Sequence, residues 1–174
     1  MDNQEQSGRS MIEMLGVLGI MGVIMYGAVV GINFGIEMYK VNIVHSEVEE
    51  LSRAVIDFGS FVDGYSFLSS ASDSLFCKNA AFPCDPHTMH MQNKWGGNVT
   101  VEPSDCATVG SGRVCRSFVI KYTNVPKVPC KRLIDDMWFE RVCISSPKSS
   151  DKCGSTNQLV FSVNMNDCKG EDAD

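Results

Sequence analysis

The stretch that decides the fold is residues 14–36, MLGVLGIMGVIMYGAVVGINFGI, which form 23 consecutive positions without a formal charge. A helix rises ~1.5 Å per residue, so this stretch is long enough to cross the ~30 Å hydrocarbon core of a bilayer. A secretory signal peptide is the alternative, but its apolar region spans only about 7 to 15 residues, with positive charge before it and a small-residue cleavage site after it. The sequence at 31–40, GINFGIEMYK, offers no such site. We therefore predict a membrane-spanning segment.

A second helical pattern follows without a turn signal. No proline or glycine interrupts residues 37–58. The pattern predicts one continuous helix from about Arg9 to Phe58, apolar on all sides in its first half and amphipathic in its second half. The second half would bury its apolar stripe against a water-exposed domain. Residues of this stripe recur at intervals of three and four: Met38, Val41, Val44, Val48, Leu51, Val55 and Phe58.

Glycines are unusually frequent in the apolar half of this helix. Each glycine lowers helix stability by about 1 kcal/mol relative to alanine. The apolar half contains six of them, so some other interaction must offset this cost: Gly16, Gly19, Gly22, Gly27, Gly31 and Gly35. Gly27, Gly31 and Gly35 form two overlapping GxxxG patterns, which let helices approach closely in a membrane or a tightly packed bundle. The alternative is that glycine is simply commoner in membrane helices. We predict these three glycines to be helix-packing positions.

All cysteines lie after residue 76. An even number of cysteines confined to a small loop-rich region predicts disulfides formed in an oxidising compartment. Structural zinc is the weaker alternative, because there is no CxxC motif and the histidines are only three, His45, His87 and His90. The eight predicted disulfide cysteines, with no metal expected, are Cys77, Cys84, Cys106, Cys115, Cys130, Cys143, Cys153 and Cys168.

No pattern in the sequence predicts catalysis. His87 and His90 lie in a proline-containing loop, PCDPHTMHMQN at 83–93, and no GxSxG, P-loop or HExxH motif occurs. Residues 60–174 carry twelve basic and thirteen acidic side chains, so this part is nearly neutral. We therefore expect no enzyme activity, no cofactor and no nucleic-acid partner.

The cysteine-containing part shows short strand and helix patterns. Val99 and Val101 alternate after the glycine turn of NKWGGNVTVE at 93–102, and residues 117–122 and 159–163 are further strand candidates. PCKRLIDDMWFERVC at 129–143 places Leu133, Ile134, Met137, Trp138 and Val142 at helical spacing, which predicts a short helix on the sheet. We expect Trp95 at the sheet edge, Trp138 in the core and a turn at GSGR, 110–113. The predicted fold class is α+β: a long N-terminal helix packed on a small antiparallel sheet in a disulfide-containing head.

The sequence GRSMIEMLGVLGIMGV at 8–23 resembles the N-terminal signature of the type IV pilin family. That signature is a leader ending in glycine, then a mature chain with glutamate at its fifth position and a long apolar helix. Counting from Arg9 makes Glu13 the fifth residue. The resemblance implies cleavage by prepilin peptidase between Gly8 and Arg9, methylation of the new amine, and pairing of Glu13 with the terminal amine of a neighbouring subunit. NKWGGNVTVE is similar to a segment of the type IVb-like pilins, including plasmid-borne ones.

The resemblance implies a division of the chain and a function. The expected parts are a leader at 1–8, a transmembrane and assembly helix at 9–36, an amphipathic helix at 37–59 and a disulfide-rich globular head at 60–174. The expected function is that of a type IVb-like pilus subunit, held in the inner membrane and then assembled with identical or related pilins into an extracellular filament for adhesion, aggregation or conjugation. The alternatives are a minor pilin, a secretion pseudopilin or a membrane-tethered periplasmic binding module.

Disulfide connectivity is not fixed by the sequence, because eight cysteines allow many pairings. The resemblance favours a bridge that pins the C-terminal segment, for which we predict Cys130 with Cys168. The sequence-near pairs would then be Cys77 with Cys84, Cys106 with Cys115, and Cys143 with Cys153.

Overall fold

The computed structural model describes residues 3–61, 64–68, 77, 84, 90–110, 112–136, 139–154 and 157–163, with the side chains of the first helix described from 11 to 60. The chain divides into two compact units, Met1–Tyr39 and Lys40–Asp174. The elements in chain order are α1 (Asn3–Phe61), β1 (Val99–Val109), β2 (Gly112–Thr123), α2 (Lys127–Asp135), β3 (Cys143–Ser146), a 3-10 helix (Ser150–Lys152) and β4 (Gln158–Ser162).

The predicted continuous helix is confirmed as α1, which begins before Arg9 and ends after Phe58. Its most apolar 18-residue window has a mean hydropathy of 2.2, and none of that window is buried. The helix is therefore long and apolar enough to cross a membrane. The side chains of residues 11–36 are all exposed.

The amphipathic half of α1 packs on the sheet. Val41, Val44, Val48, Leu51 and Val55 are each no more than 1% exposed, and they share one hydrophobic core with the sheet. Burial of a valine or leucine side chain stabilises a fold by roughly 1.5–3 kcal/mol, so this stripe holds the helix to the head.

The two ends of the predicted stripe are less buried than its centre. Met38 is half-buried, and Phe58 is 39% exposed. The Phe58 ring packs against Phe67, with centroids 4.9 Å apart. The prediction of a buried stripe is therefore correct in its centre and wrong for Phe58.

The four described strands form one antiparallel sheet in the order β1-β2-β4-β3. The predicted face of Phe118, Ile120 and Tyr122 is fully buried, and Val101 lies opposite Ile120. β1 and β2 extend further than predicted: their ladder continues to the pair of Val109 and Gly112. A glycine with φ +64, Gly110, follows β1 and allows the predicted turn.

The second helix is shorter than the apolar spacing indicated. α2 ends at Asp135, and the backbone N–H of Asp136 donates to the Arg132 carbonyl. Adjacent carboxylates at a helix C-terminus oppose the helix dipole, which disfavours continuation. Leu133 is buried as predicted, but Val142 is buried outside the helix, next to β3. Met137 and Trp138 lie outside the described residues.

Disulfides occur in the head as predicted, with two pairings correct. Cys77 bonds Cys84, and Cys106 bonds Cys115. The predicted pairs Cys130 with Cys168 and Cys143 with Cys153 are wrong, because Cys130 bonds Cys153 with their Cα atoms 5.8 Å apart. This bond joins α2 to the 3-10 helix, which α2 contacts directly. Cys143 is also disulfide-bonded, and Cys168 lies outside the described residues.

Candidate functional site

Glu13 lies near the start of α1, within its apolar half. Its side chain is exposed, with Met14, Val17 and Leu18 around it. On insertion scales, a carboxylate at the bilayer centre raises the free energy of membrane insertion by roughly 2.5–3.5 kcal/mol. A charged Glu13 without a partner in an apolar environment is therefore unfavourable. Among the described side chains no basic group forms an ion pair with Glu13.

Gly27, Gly31 and Gly35 follow one another at intervals of four on α1, so they share one helix face. A Cβ atom built on any of them meets no atom of the described residues within 4 Å. The fold of a single chain therefore does not require glycine at these positions. This leaves a smooth, open helix face.

Gly8 and Arg9, the predicted processing residues, also lie within α1, where their backbone is helical. Their side-chain surroundings lie outside the described part of the chain.

A loop at residues 93–98 precedes β1 and lies against the end of β2. Asn93 organises this loop. The Asn93 side-chain oxygen accepts hydrogen bonds from the backbone N–H of Trp95 and of Gly97, both at 2.9 Å. Its Nδ2 donates to the Thr123 carbonyl at 2.7 Å. The Asn124 side chain donates to the Trp95 carbonyl at 3.0 Å. We call residues 93–98 the glycine loop.

The glycines of this loop have separate roles. Gly96 has φ +74, a conformation that side-chain-bearing residues rarely adopt. Gly97 lies against β2: a Cβ atom there would be 2.6 Å from the Thr123 carbonyl carbon and closer still to its oxygen. The Trp95 ring is partly buried against the core, consistent with the predicted position at the sheet edge.

An ion pair joins the glycine loop to α1. Lys94 Nζ lies 3.1 Å from Glu47 Oε1, and the Glu47 side chain is only 12% exposed. The other oxygen of Glu47 is buried and has no hydrogen-bond partner among the described residues, and the same holds for the hydroxyl of Tyr122. Burial raises the pKa of Glu47 above its usual value, despite the opposing effect of Lys94. Burial and then the Glu47 charge raise the pKa of Tyr122.

A second contact joins α1 to the segment before β3. Arg53 pairs with Glu140 at 3.3 Å, and the Glu140 backbone N–H donates to Glu49 Oε1 at 2.7 Å. His45 stacks on Phe139, with ring centroids 4.7 Å apart. These contacts fix the segment before β3 against α1. None of these side chains pairs a nucleophile with a general base.

Residues 44–173, which are 130 of the 174 positions, match the model of the family described as PilS N terminal. The chain belongs to this family of type IV pilins. A solved structure, the crystal structure of type IV b pilin from Salmonella typhi, is similar at 22% identity with a TM-score of 0.44, covering 67% of this chain and 95% of that one. A search of the curated proteins found no match.

The family assignment confirms the resemblance that the N-terminal residues predicted, and this pilin is a structural subunit of a type IV pilus. Sequence reasoning missed Asn93 and Glu47, which hold the glycine loop in place. An asparagine two residues before a turn is a recognisable signal, because its side chain bonds backbone N–H groups further along the chain. The Glu47 pair had no sequence signal, since Lys94 is 47 positions away. His90 is exposed, and His87 lies outside the described residues.

Glu47→Gln tests the buried pair of this pilin. A carboxyl group whose pKa is raised in the folded state opposes folding above that pKa and ceases to do so as the pH falls through it. We therefore expect Glu47→Gln to raise the midpoint of thermal unfolding slightly at pH 7, and the advantage over the wild type to disappear toward pH 4. Circular dichroism of the purified protein in detergent at several pH values measures this. Asp151→Asn, at an exposed carboxylate outside α1 and α2, controls for net charge. A variant less stable than the wild type at pH 7 would show that the Lys94 pair outweighs burial.

Proposed function

We propose that this pilin is the main structural subunit of a type IVb-like pilus, anchored in the inner membrane before it enters an extracellular filament. The observation that carries the proposal is the apolar half of α1, whose side chains are all exposed at residues 11–36. Exposed apolar patches of this extent mark an interface with lipid or protein. In the proposed sequence of events the bilayer covers these side chains first, and the helices of neighbouring subunits cover them afterwards.

In the filament, neighbouring helices pack against the face of Gly27, Gly31 and Gly35. Without side chains there, two helix backbones approach closely and gain van der Waals contact. Glu13 pairs with the terminal amine of a neighbouring subunit, which compensates its charge in an apolar environment. Methylation of that amine after processing leaves its positive charge in place.

Processing between Gly8 and Arg9 is the step that creates this amine, and it makes a separate prediction. We expect the mature chain to begin at Arg9, and Gly8→Ala to leave much of the leader, residues 1–8, attached. Mass spectrometry of the protein from sheared material and from membranes measures both. Gly16→Ala changes a glycine in the same helix and should be processed normally. Assembled protein with an intact Met1, or one that begins after residue 36, would contradict the cleavage site.

Shear release from cells distinguishes this proposal from its alternatives. A main subunit should be abundant and should appear in the sheared fraction as fibres. A minor pilin or pseudopilin would be scarce there, and a membrane-tethered binding module would remain with the cells. Adhesion, aggregation and conjugation are the proposed uses of the filament. A strain lacking this protein should lose at least one of them, and complementation should restore it.

A further inference from the structure

The end of the β1–β2 hairpin extends beyond the rest of the sheet. β2 pairs with β4 only at residues 119–123, whereas its ladder with β1 continues to Gly112. Cys106 and Cys115 are opposite each other in this ladder and form a disulfide. The described residues beyond them, 107–110 and 112–114, are all exposed. We call residues 106–116 the stapled arm.

The stapled arm carries apolar side chains that do not enter the core. Val109 is 64% exposed and Val114 is 38% exposed. Ala107 lies opposite Val114, and alternate residues of a strand share a face, so both valines lie on the same face of the arm. Gly64 approaches Val114, since a Cβ atom built on it would lie 3.8 Å from Val114 Cγ1, whereas Val109 at the end of the arm stays largely exposed among the described residues.

The stapled arm is also held in one conformation. A two-stranded hairpin is marginally stable alone, but here a disulfide links the two strands. The Cys115 carbonyl also accepts a hydrogen bond from the Tyr65 N–H at 3.0 Å. A surface that is already ordered loses less conformational entropy on binding. These features are typical of a preorganised binding element.

The charge of the stapled arm is positive. Arg113 and Arg116 are exposed, and neither forms an ion pair with a described side chain. Asp105 is the adjacent carboxylate in β1. Arg116 shares the face of Val109 and Val114, because alternate residues of a strand share a face, and Arg113 lies beside Val114 on the opposite face. The arm therefore offers one guanidinium group on its apolar face and a second on the other face, which fits a partner surface with both carboxylates and an apolar side chain.

A surface of that chemistry lies on α1 of the same chain. Glu50 and Asp57 are exposed and seven positions apart, so they share a helix face. Arg53 lies between them but pairs with Glu140, which leaves the two carboxylates without an ion pair among the described side chains. Phe58, partly exposed, is adjacent to Asp57. We call Glu50, Asp57 and Phe58 the acidic face.

We propose that the stapled arm of one copy docks on the acidic face of a second copy. The proposal rests on the proposed function, because it assigns a head contact within the filament. The two surfaces differ, so the contact is head-to-tail. When the rotation from one subunit to the next does not close a ring, such contacts generate an open helical filament. Charge complementarity fixes the orientation of docking and disfavours arm-to-arm contacts, in which arginines would meet arginines.

A charge exchange tests the docking. Arg113→Glu with Arg116→Glu, and separately Glu50→Lys with Asp57→Lys, should each lower the yield of sheared fibres at least about tenfold, because like charges would then meet. All four substitutions together should restore most of the yield. Arg141→Glu with Lys148→Glu changes exposed residues elsewhere by the same net charge as the arginine variant, and it should assemble normally. Non-reducing gels of each variant check that the disulfides have formed.

Photo-cross-linking gives a readout that does not need fibres. A benzophenone amino acid at Val109, in cells making the full chain, should cross-link to residues 50–58 of a second copy. Cross-links to another protein or to another part of the chain would overturn the proposal, as would wild-type fibre yield from both charge-reversed variants or no recovery in the fourfold variant. If the unaltered protein forms no fibres, the proposed function fails, and the cross-link still decides whether the arm docks on the acidic face.

Discussion

Gly97→Ala should destabilise the head by about 3 kcal/mol or more, the largest stability effect that we expect from a single substitution. The added methyl group would occupy the space of the Thr123 carbonyl group. Neither the glycine loop nor the end of β2 can move easily, because Asn93 fixes the loop and β4 pairs with β2 at Thr123. Either the glycine loop or the end of β2 must then move. Thermal unfolding of the purified protein in detergent measures the loss.

Two other glycines provide graded controls for this prediction. Gly112→Ala places its methyl group 3.8 Å from the nearest neighbour, the Val109 oxygen, so its effect should stay within about 0.5 kcal/mol. Gly96→Ala meets no atom within 4 Å but requires φ +74, so it should cost about 1–2 kcal/mol. Equal losses for Gly96→Ala and Gly97→Ala would show that backbone conformation, and not the contact with β2, makes this pair of glycines necessary.

Glu13→Ala should abolish most filament assembly while the protein still inserts into the membrane. Removing a carboxylate lowers the cost of placing α1 in hydrocarbon, so the amount in the membrane fraction should not fall. In the proposed pairing, the charged amine of the neighbouring subunit loses its partner, so assembly should fall at least about tenfold, which corresponds to a loss of about 1.4 kcal/mol of binding free energy. Immunoblots of membrane and sheared fractions measure the two quantities.

The matched control for Glu13 is Val17→Ala, which alters a neighbouring residue one turn along α1. It removes apolar contact without removing charge, so most assembly should remain. Normal fibre yield from Glu13→Ala would contradict the pairing role. A fall in its membrane fraction would show that Glu13 acts in insertion.

The elements that the sequence predicted are those with a strong local pattern. The long helix follows from an uninterrupted apolar run and the stripe after it, and the buried face of β2 follows from the alternation of Phe118, Ile120 and Tyr122. Gly8 and Glu13 are five positions apart and precede the apolar helix in the register of the family signature, which is why the resemblance needs no structure.

The features that the sequence did not predict depend on contacts between distant residues. Cys130 bonds Cys153 because α2 lies against the 3-10 helix, and neither element's position follows from cysteine spacing. Asn93 reaches the Thr123 carbonyl across 30 positions. The sequence predicts the turn at 110–113 but not the extension of β1 and β2 up to it, because the exposed ends of these strands lack the apolar alternation that marks a half-buried sheet.

Immunogold electron microscopy of cells that make the protein tests the central claim most directly. An antibody to the head should label filaments along their length on intact wild-type cells. In the Glu13→Ala strain, labelled filaments should disappear while the protein remains in the membranes. Label confined to the cell envelope of the wild type, with no labelled filament under conditions in which the protein is abundant, would contradict a role as the main pilus subunit.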